Sequence, residues 1–104
     1  MLGIDPGTVR MGYGLVEASD SDAGGAEAVD YGVIALRSAL PIEDRLYQLY
    51  SHVLNMISIW VPDVVAVEEP FLGKGESRFV GPALAVGQAQ ALVLIAAAGQ
   101  AIPI

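Results

Sequence analysis

At 104 residues, 54% of them hydrophobic, the chain is the size of one domain with one core, and wholesale disorder is excluded. It contains no cysteine, which rules out disulfides, thiolate metal sites and cysteine nucleophiles. Five basic residues face twelve acidic ones, a net charge of −7, which is the reverse of the basic footprint that phosphate contacts impose on nucleic-acid binders.

The chain opens on an apolar run, Met1–Asp5, which predicts a first strand with a carboxylate at its C-terminal tip. Pro6 and Gly7 make a tight turn, and Arg10–Ala18 reads as a second strand because Met11, Tyr13 and Leu15 alternate with Gly12, Gly14 and Val16. An acid at the end of a buried strand is costly unless a cation meets it. The plainer account of Asp5 is a side chain that caps the turn by accepting backbone N–H bonds, as is common in such turns.

Residues 19–27 are polar with two glycines and predict a long hairpin loop. Its three carboxylates lack the bidentate Glu of a calcium loop, so it reads as solvated. A third strand is expected over Ala28–Leu36, with Val29, Tyr31 and Val33 on one face and Ile34 and Leu36 on the other. Pro41 stands at the first position of a helix, with Glu43 and Asp44 in the favourable first turn. Leu46, Leu49, Tyr50, Val53, Ile57 and Trp60 form its apolar stripe, and Pro62 ends it. His52, the sole histidine, lies off that stripe and reads as a surface or boundary residue.

Val64–Val67 has the β-branched composition of a strand buried on both faces, and it too ends in acid, Glu68 and Glu69. The helix between makes a crossover, so this strand runs parallel to the first. Periodicity allows it to lie beside the first strand or beside the third. Residues 71–80 form a Gly-punctuated loop with two aromatics and both signs of charge. A second helix is expected from Gly81-Pro82 to Gly99, apolar nearly all round and so needing cover on more than one side. It falls short of a bilayer span, and the N-terminus shows no secretion signal, so the cytoplasm is the expected compartment. Ala101–Ile104 has the look of the first residues of a fifth strand.

The opening Leu2–Gly14 (LGIDPGTVRMGYG), then Asp63–Glu68 (DVVAVE), Phe71 with Lys74, and Gly87-Gln88-Ala89 within an Ala-rich helix resemble, in this order, the RuvC family. These are Holliday-junction resolvases of the ribonuclease-H-like superfamily. The loop between Lys74 and Gly87 is somewhat longer than the resemblance leads one to expect. The resemblance implies an α/β fold with a mixed sheet of order 3-2-1-4-5 flanked by helices. It implies metal-dependent phosphodiester hydrolysis at four-way DNA junctions in recombination and repair. Asp5 and Glu68 would be two of four carboxylates holding Mg2+, with paired ions about 4 Å apart activating water and stabilising the leaving 3′ oxygen. Glu69, on the alternate face, is the weaker candidate and reads as a strand-end surface acid.

By the same resemblance Phe71 would contact the junction, with Lys74 and Arg78 on phosphate, although Phe71 equally suits an aromatic closing the core edge. A homodimer and a branch-migration complex of RuvA and RuvB are the implied partners, and no membrane. The family's third and fourth carboxylates follow the fifth strand, whereas no Asp or Glu occurs here after Glu76. Residues 1–104 therefore read as one ribonuclease-H-like nuclease domain lacking its C-terminal helical segment, expected to be inactive on its own. Two rival readings remain at this level. One is an actin-like ATP-binding or sugar-kinase fragment, since an acid followed by Gly-Thr and a hairpin also cradles phosphates. The other is a non-catalytic dimerisation domain.

Overall fold

The computed structural model describes residues 1–18, 26–68 and 80–104. Three strands come first: β1 (Leu2–Asp5), β2 (Arg10–Ala18) and β3 (Ala26–Ala35). Helix α1 (Ile42–Trp60), the short strand β4 (Val65–Val67) and helix α2 (Val80–Gly99) follow. The described strands form one sheet in the order β3-β2-β1-β4. β1 pairs antiparallel with β2 and parallel with β4, which settles the neighbour that periodicity left open. A one-residue bulge in β3 sets Leu15 opposite Asp30 and Val16 opposite Ala28, leaving Val29 without a partner.

Both helices cover the same face of this sheet. Leu2, Ile4, Met11, Ile34 and Val65 supply the strand side of the core. Leu49, Val53 and Ile57 of α1, with Ala89, Leu92, Val93, Ala96 and Ala97 of α2, supply the helix side. The small alanines let α2 come close, and each of the large side chains contributes about 1.5–3 kcal/mol by leaving water. The stripe expected on α1 is the one observed, and His52 lies exposed on its outer face.

Several expectations need correction. β4 is not buried on both faces: Val65 is covered, Ala66 is exposed and Val67 is half-buried, because the two described helices lie on one side. Pro41 is the N-cap of α1, not its first residue; its carbonyl accepts from the Asp44 and Arg45 amides, both at 3.1 Å. α2 starts at Val80, one residue before the Gly-Pro pair, and ends at Gly99 as expected. The Ile102 amide reaches the Ala97 carbonyl and the Ala101 amide that of Ala98, with Ala101 in the left-handed region at φ 57°. That is the Schellman arrangement, with alanine where glycine is usual.

Residues 102–104 do not form a fifth strand. The Val65 amide nonetheless donates to the Pro103 carbonyl at 2.9 Å, on the side of β4 away from β1. Proline has no N–H to return, so the ladder does not continue through it. Among the described residues no helix is long and apolar enough to cross a membrane.

Candidate metal site on the open face of the sheet

Side chains alternate across a strand, so the pairing registers divide the sheet into two faces. Leu2, Ile4, Met11, Tyr13, Leu15, Val65 and Val67 face the helices. Gly3, Asp5, Gly12, Gly14, Ala66 and Glu68 share the other face. Ile4 pairs with Val67, and the Glu68 amide donates to the Ile4 carbonyl at 3.3 Å, which brings the next residues, Asp5 and Glu68, side by side at the C-terminal ends of parallel strands. The two acids thus emerge at the same end and on the same face.

Their proximity is visible in the electrostatics. The Glu68 carboxyl is held above its ordinary range, first by a hydrogen bond with the Asp5 side chain, then by the Asp5 charge, and last by desolvation. Each cause favours the neutral form of Glu68 over the charged one. Hard oxygen donors converging on one point, with too much negative charge for themselves, match a divalent cation such as magnesium. Among the described residues no third acid, histidine or cysteine joins them.

The floor beside the acids is bare backbone. Gly3, Gly12 and Gly14 leave a cleft of about 690 Å³, with Asp5 and Glu68 at one end and Tyr31 and Val33 along the side. Tyr31 is 77% exposed and Val33 61%, so an apolar wall stands in solvent next to the carboxylates. The glycines in β1 and β2 had a signal in the sequence: glycine inside a strand is costly and marks close approach by something else.

The turn that follows Asp5 is held by groups that the sequence did not single out. Gly7 packs so tightly that a side chain there would collide with the Arg10 carbonyl. The Leu36 amide donates to the Val9 carbonyl at 2.8 Å. Arg45, from the first turn of α1, donates through Nη1 to the Thr8 carbonyl (3.4 Å) and hydroxyl (3.2 Å), and through Nε to the Leu40 carbonyl (3.1 Å). The only hint in the sequence was a cation near a helix start, where the dipole prefers acids. Glu69, Phe71, Lys74 and Arg78 lie outside the described residues.

Comparison with known proteins bears on what this arrangement is for. The family model described as "Crossover junction endodeoxyribonuclease RuvC" matches residues 1–104. The chain is 38% identical over 104 residues to the crossover junction endodeoxyribonuclease RuvC of Thermomicrobium roseum, spanning all of this chain and 59% of that protein. It is 44% identical over 103 residues to the Chloroflexus aggregans protein of the same description, spanning 99% of this chain and 58% of that one. Among solved structures, T. thermophilus RuvC in complex with Holliday junction substrate superposes with a TM-score of 0.82 at 28% identity, covering 99% of this chain and 63% of that one. The chain thus spans a little under three fifths of the length of the curated relatives it matches.

Proposed function

The chain belongs to the RuvC family, and from that premise we propose that it carries the Asp5–Glu68 half of a magnesium-dependent, cytoplasmic endonuclease that resolves four-way DNA junctions. The observation that supports this most directly is the convergence of Asp5 and Glu68 at one end of the open sheet face. Asp5 and Glu68 are the residues that would hold magnesium. When bound, paired magnesium ions activate water and stabilise the leaving 3′ oxygen during in-line attack on a phosphodiester. Asp5 and Glu68 contribute orientation, because β1 and β4 fix both backbones through the parallel ladder. A bound cation would offset the repulsion between the two carboxylates.

Phe71, Lys74 and Arg78 follow Glu68 directly in sequence, so a loop that starts at the acids would carry a base-stacking ring and two phosphate-binding cations. In sequence, Lys74 and Arg78 are matched by Glu69 and Glu76, so this segment is neutral where the whole chain carries −7. A second copy is the proposed partner of α2. The outer positions Leu84, Gln88, Ala91, Ile95 and Ala98 are exposed, uncharged and spaced to form one stripe. Two copies related by a twofold axis would present two sites to the symmetric strands of a junction. The branch-migration proteins RuvA and RuvB are proposed partners on the family resemblance alone.

The test is Mg2+-dependent nicking of a synthetic four-way junction. The 104-residue chain is assayed alone and as a chimera in which it replaces the matching span of the Thermomicrobium roseum relative. The chimera should cut, and Asp5→Asn or Glu68→Gln should abolish cutting without unfolding it. The chain alone should cut little, since only two of four carboxylates are present. A chimera that cuts equally well with Asp5→Asn would overturn the assignment.

A further inference from the structure

Arg45 is a half-buried cation that has, among the described residues, no carboxylate partner. Its hydrogen bonds go instead to neutral oxygens on two separate segments: Leu40 in the connection before α1, and Thr8 in the turn between β1 and β2. Thr8 is itself only 8% exposed, so its hydroxyl depends on Arg45 as its partner. Guanidinium suits this bridge because its donors are fixed in a plane and reach two segments at once, which a single ammonium on a flexible stem does not. The cation also sits in the first turn of α1, beside Glu43 and Asp44, where the helix dipole works against it. A group kept in a locally unfavourable place, bonded to the turn three residues after Asp5, calls for a reason beyond helix stability.

We propose that Arg45 is a positioning residue: through Thr8 it fixes the turn that sets the direction in which Asp5 presents its carboxylate toward Glu68. The inference rests on the reading of Asp5 and Glu68 as metal ligands, and it concerns how the first of them is aimed. The turn has little else to define it. Gly7 supplies tight packing and the Leu36 amide holds Val9, but among the described residues Arg45 alone grips the Thr8 side chain, at the centre of the turn. Groups one step removed from a metal ligand commonly change metal affinity by about 10-fold or more when removed.

The test uses the 104-residue chain and two readouts. Without metal, a nuclear Overhauser contact between the Asp5 β-protons and the Gly12 α-protons reports how the turn holds the base of the Asp5 side chain against β2, because a β-carbon on Gly12 would stand 3.6 Å from Asp5 Cβ. With Mn2+ alone, paramagnetic broadening of Asp5 and Glu68 gives the apparent affinity. Arg45→Met and Thr8→Val should weaken the contact and lower Mn2+ affinity by about 10-fold, while Thr8→Ser, which keeps the hydroxyl, should behave as wild type. Should Arg45→Met fail to fold, the Thr8→Val and Thr8→Ser pair decides the matter. An unchanged contact and unchanged Mn2+ affinity in Thr8→Val, with only the melting temperature reduced, would overturn the proposal and leave Arg45 a structural residue. A wild-type chain that binds no Mn2+ at Asp5 and Glu68 would sink the metal reading instead, and the metal-free contact would still decide the role of Arg45.

Discussion

Gly14 and Gly32 sit on neighbouring strands but on opposite faces of the sheet, and alanine at each should change stability with opposite sign. Gly14 pairs with Tyr31 on the open face, and a β-carbon there meets nothing within 4 Å. Alanine at that site gains what glycine forfeits in chain entropy, about 0.5–1 kcal/mol. For a domain of this size the gain corresponds to a rise in melting temperature of roughly 2–8 °C. Gly32 pairs with Tyr13 on the helix face, where a β-carbon would stand 2.8 Å from the Tyr13 hydroxyl and 3.1 Å from its Cζ. The Tyr13 ring has Trp60 on one side, at 6.0 Å between centroids, which limits how far it can give way. Overpacking of this kind costs about 1–3 kcal/mol against the same entropic gain, a net loss of up to about 2.5 kcal/mol. Urea and thermal unfolding of the two variants read both signs, and Tyr13→Phe should recover part of the Gly32→Ala loss by removing the nearest atom. If both alanines stabilise, or both destabilise, the division of the sheet into a packed face and an open one is wrong, and the placement of Asp5 and Glu68 on the open face is wrong with it.

Other substitutions probe the site and the helices. Asp5→Asn removes the first two causes that raise Glu68, so a carboxyl-carbon NMR titration should find Glu68 back near its ordinary range. Since the folded value of Glu68 lies above the unfolded one, its stabilising contribution is present below the unfolded value and is lost as pH rises through the folded one. The wild-type chain should therefore lose stability across that window, and Asp5→Asn should flatten the slope. Ala101→Gly, at a left-handed and exposed position, should stabilise by about 0.5–1 kcal/mol in chemical unfolding, as relief of the β-carbon clash exceeds the entropic cost of glycine. Ile95→Glu, on the exposed stripe of α2, should leave the melting temperature nearly unchanged but reduce self-association measured by sedimentation equilibrium.

Local chemistry made much of this architecture legible. Alternation in Met11, Tyr13 and Leu15 marked β2 to the residue, and the spacing of Leu49, Val53 and Ile57 marked the buried face of α1. What local chemistry cannot carry is adjacency: Val65, Ala66 and Val67 look the same whether they pair with β1 or with β3, so the meeting of Asp5 with Glu68 came from the family resemblance and not from periodicity. Val64–Val67 read as buried on both faces because composition reports what a residue prefers and not what surrounds it. Arg45 was passed over for the opposite reason. Its significance lies in acceptors 5 and 37 residues away, which no short window contains.

The sheet is a single layer with helices on one side, and this gives β1 a two-letter alphabet. Leu2 and Ile4 face inward and hold the molecule together, while Gly3 and Asp5 face outward and form the candidate site. Losing or gaining one residue ahead of Asp5 would exchange the two sets, turning a carboxylate toward Leu49 and Val53 and an aliphatic chain toward Glu68. Cohesion and chemistry in this strand are thus separable by substitution but inseparable by insertion or deletion.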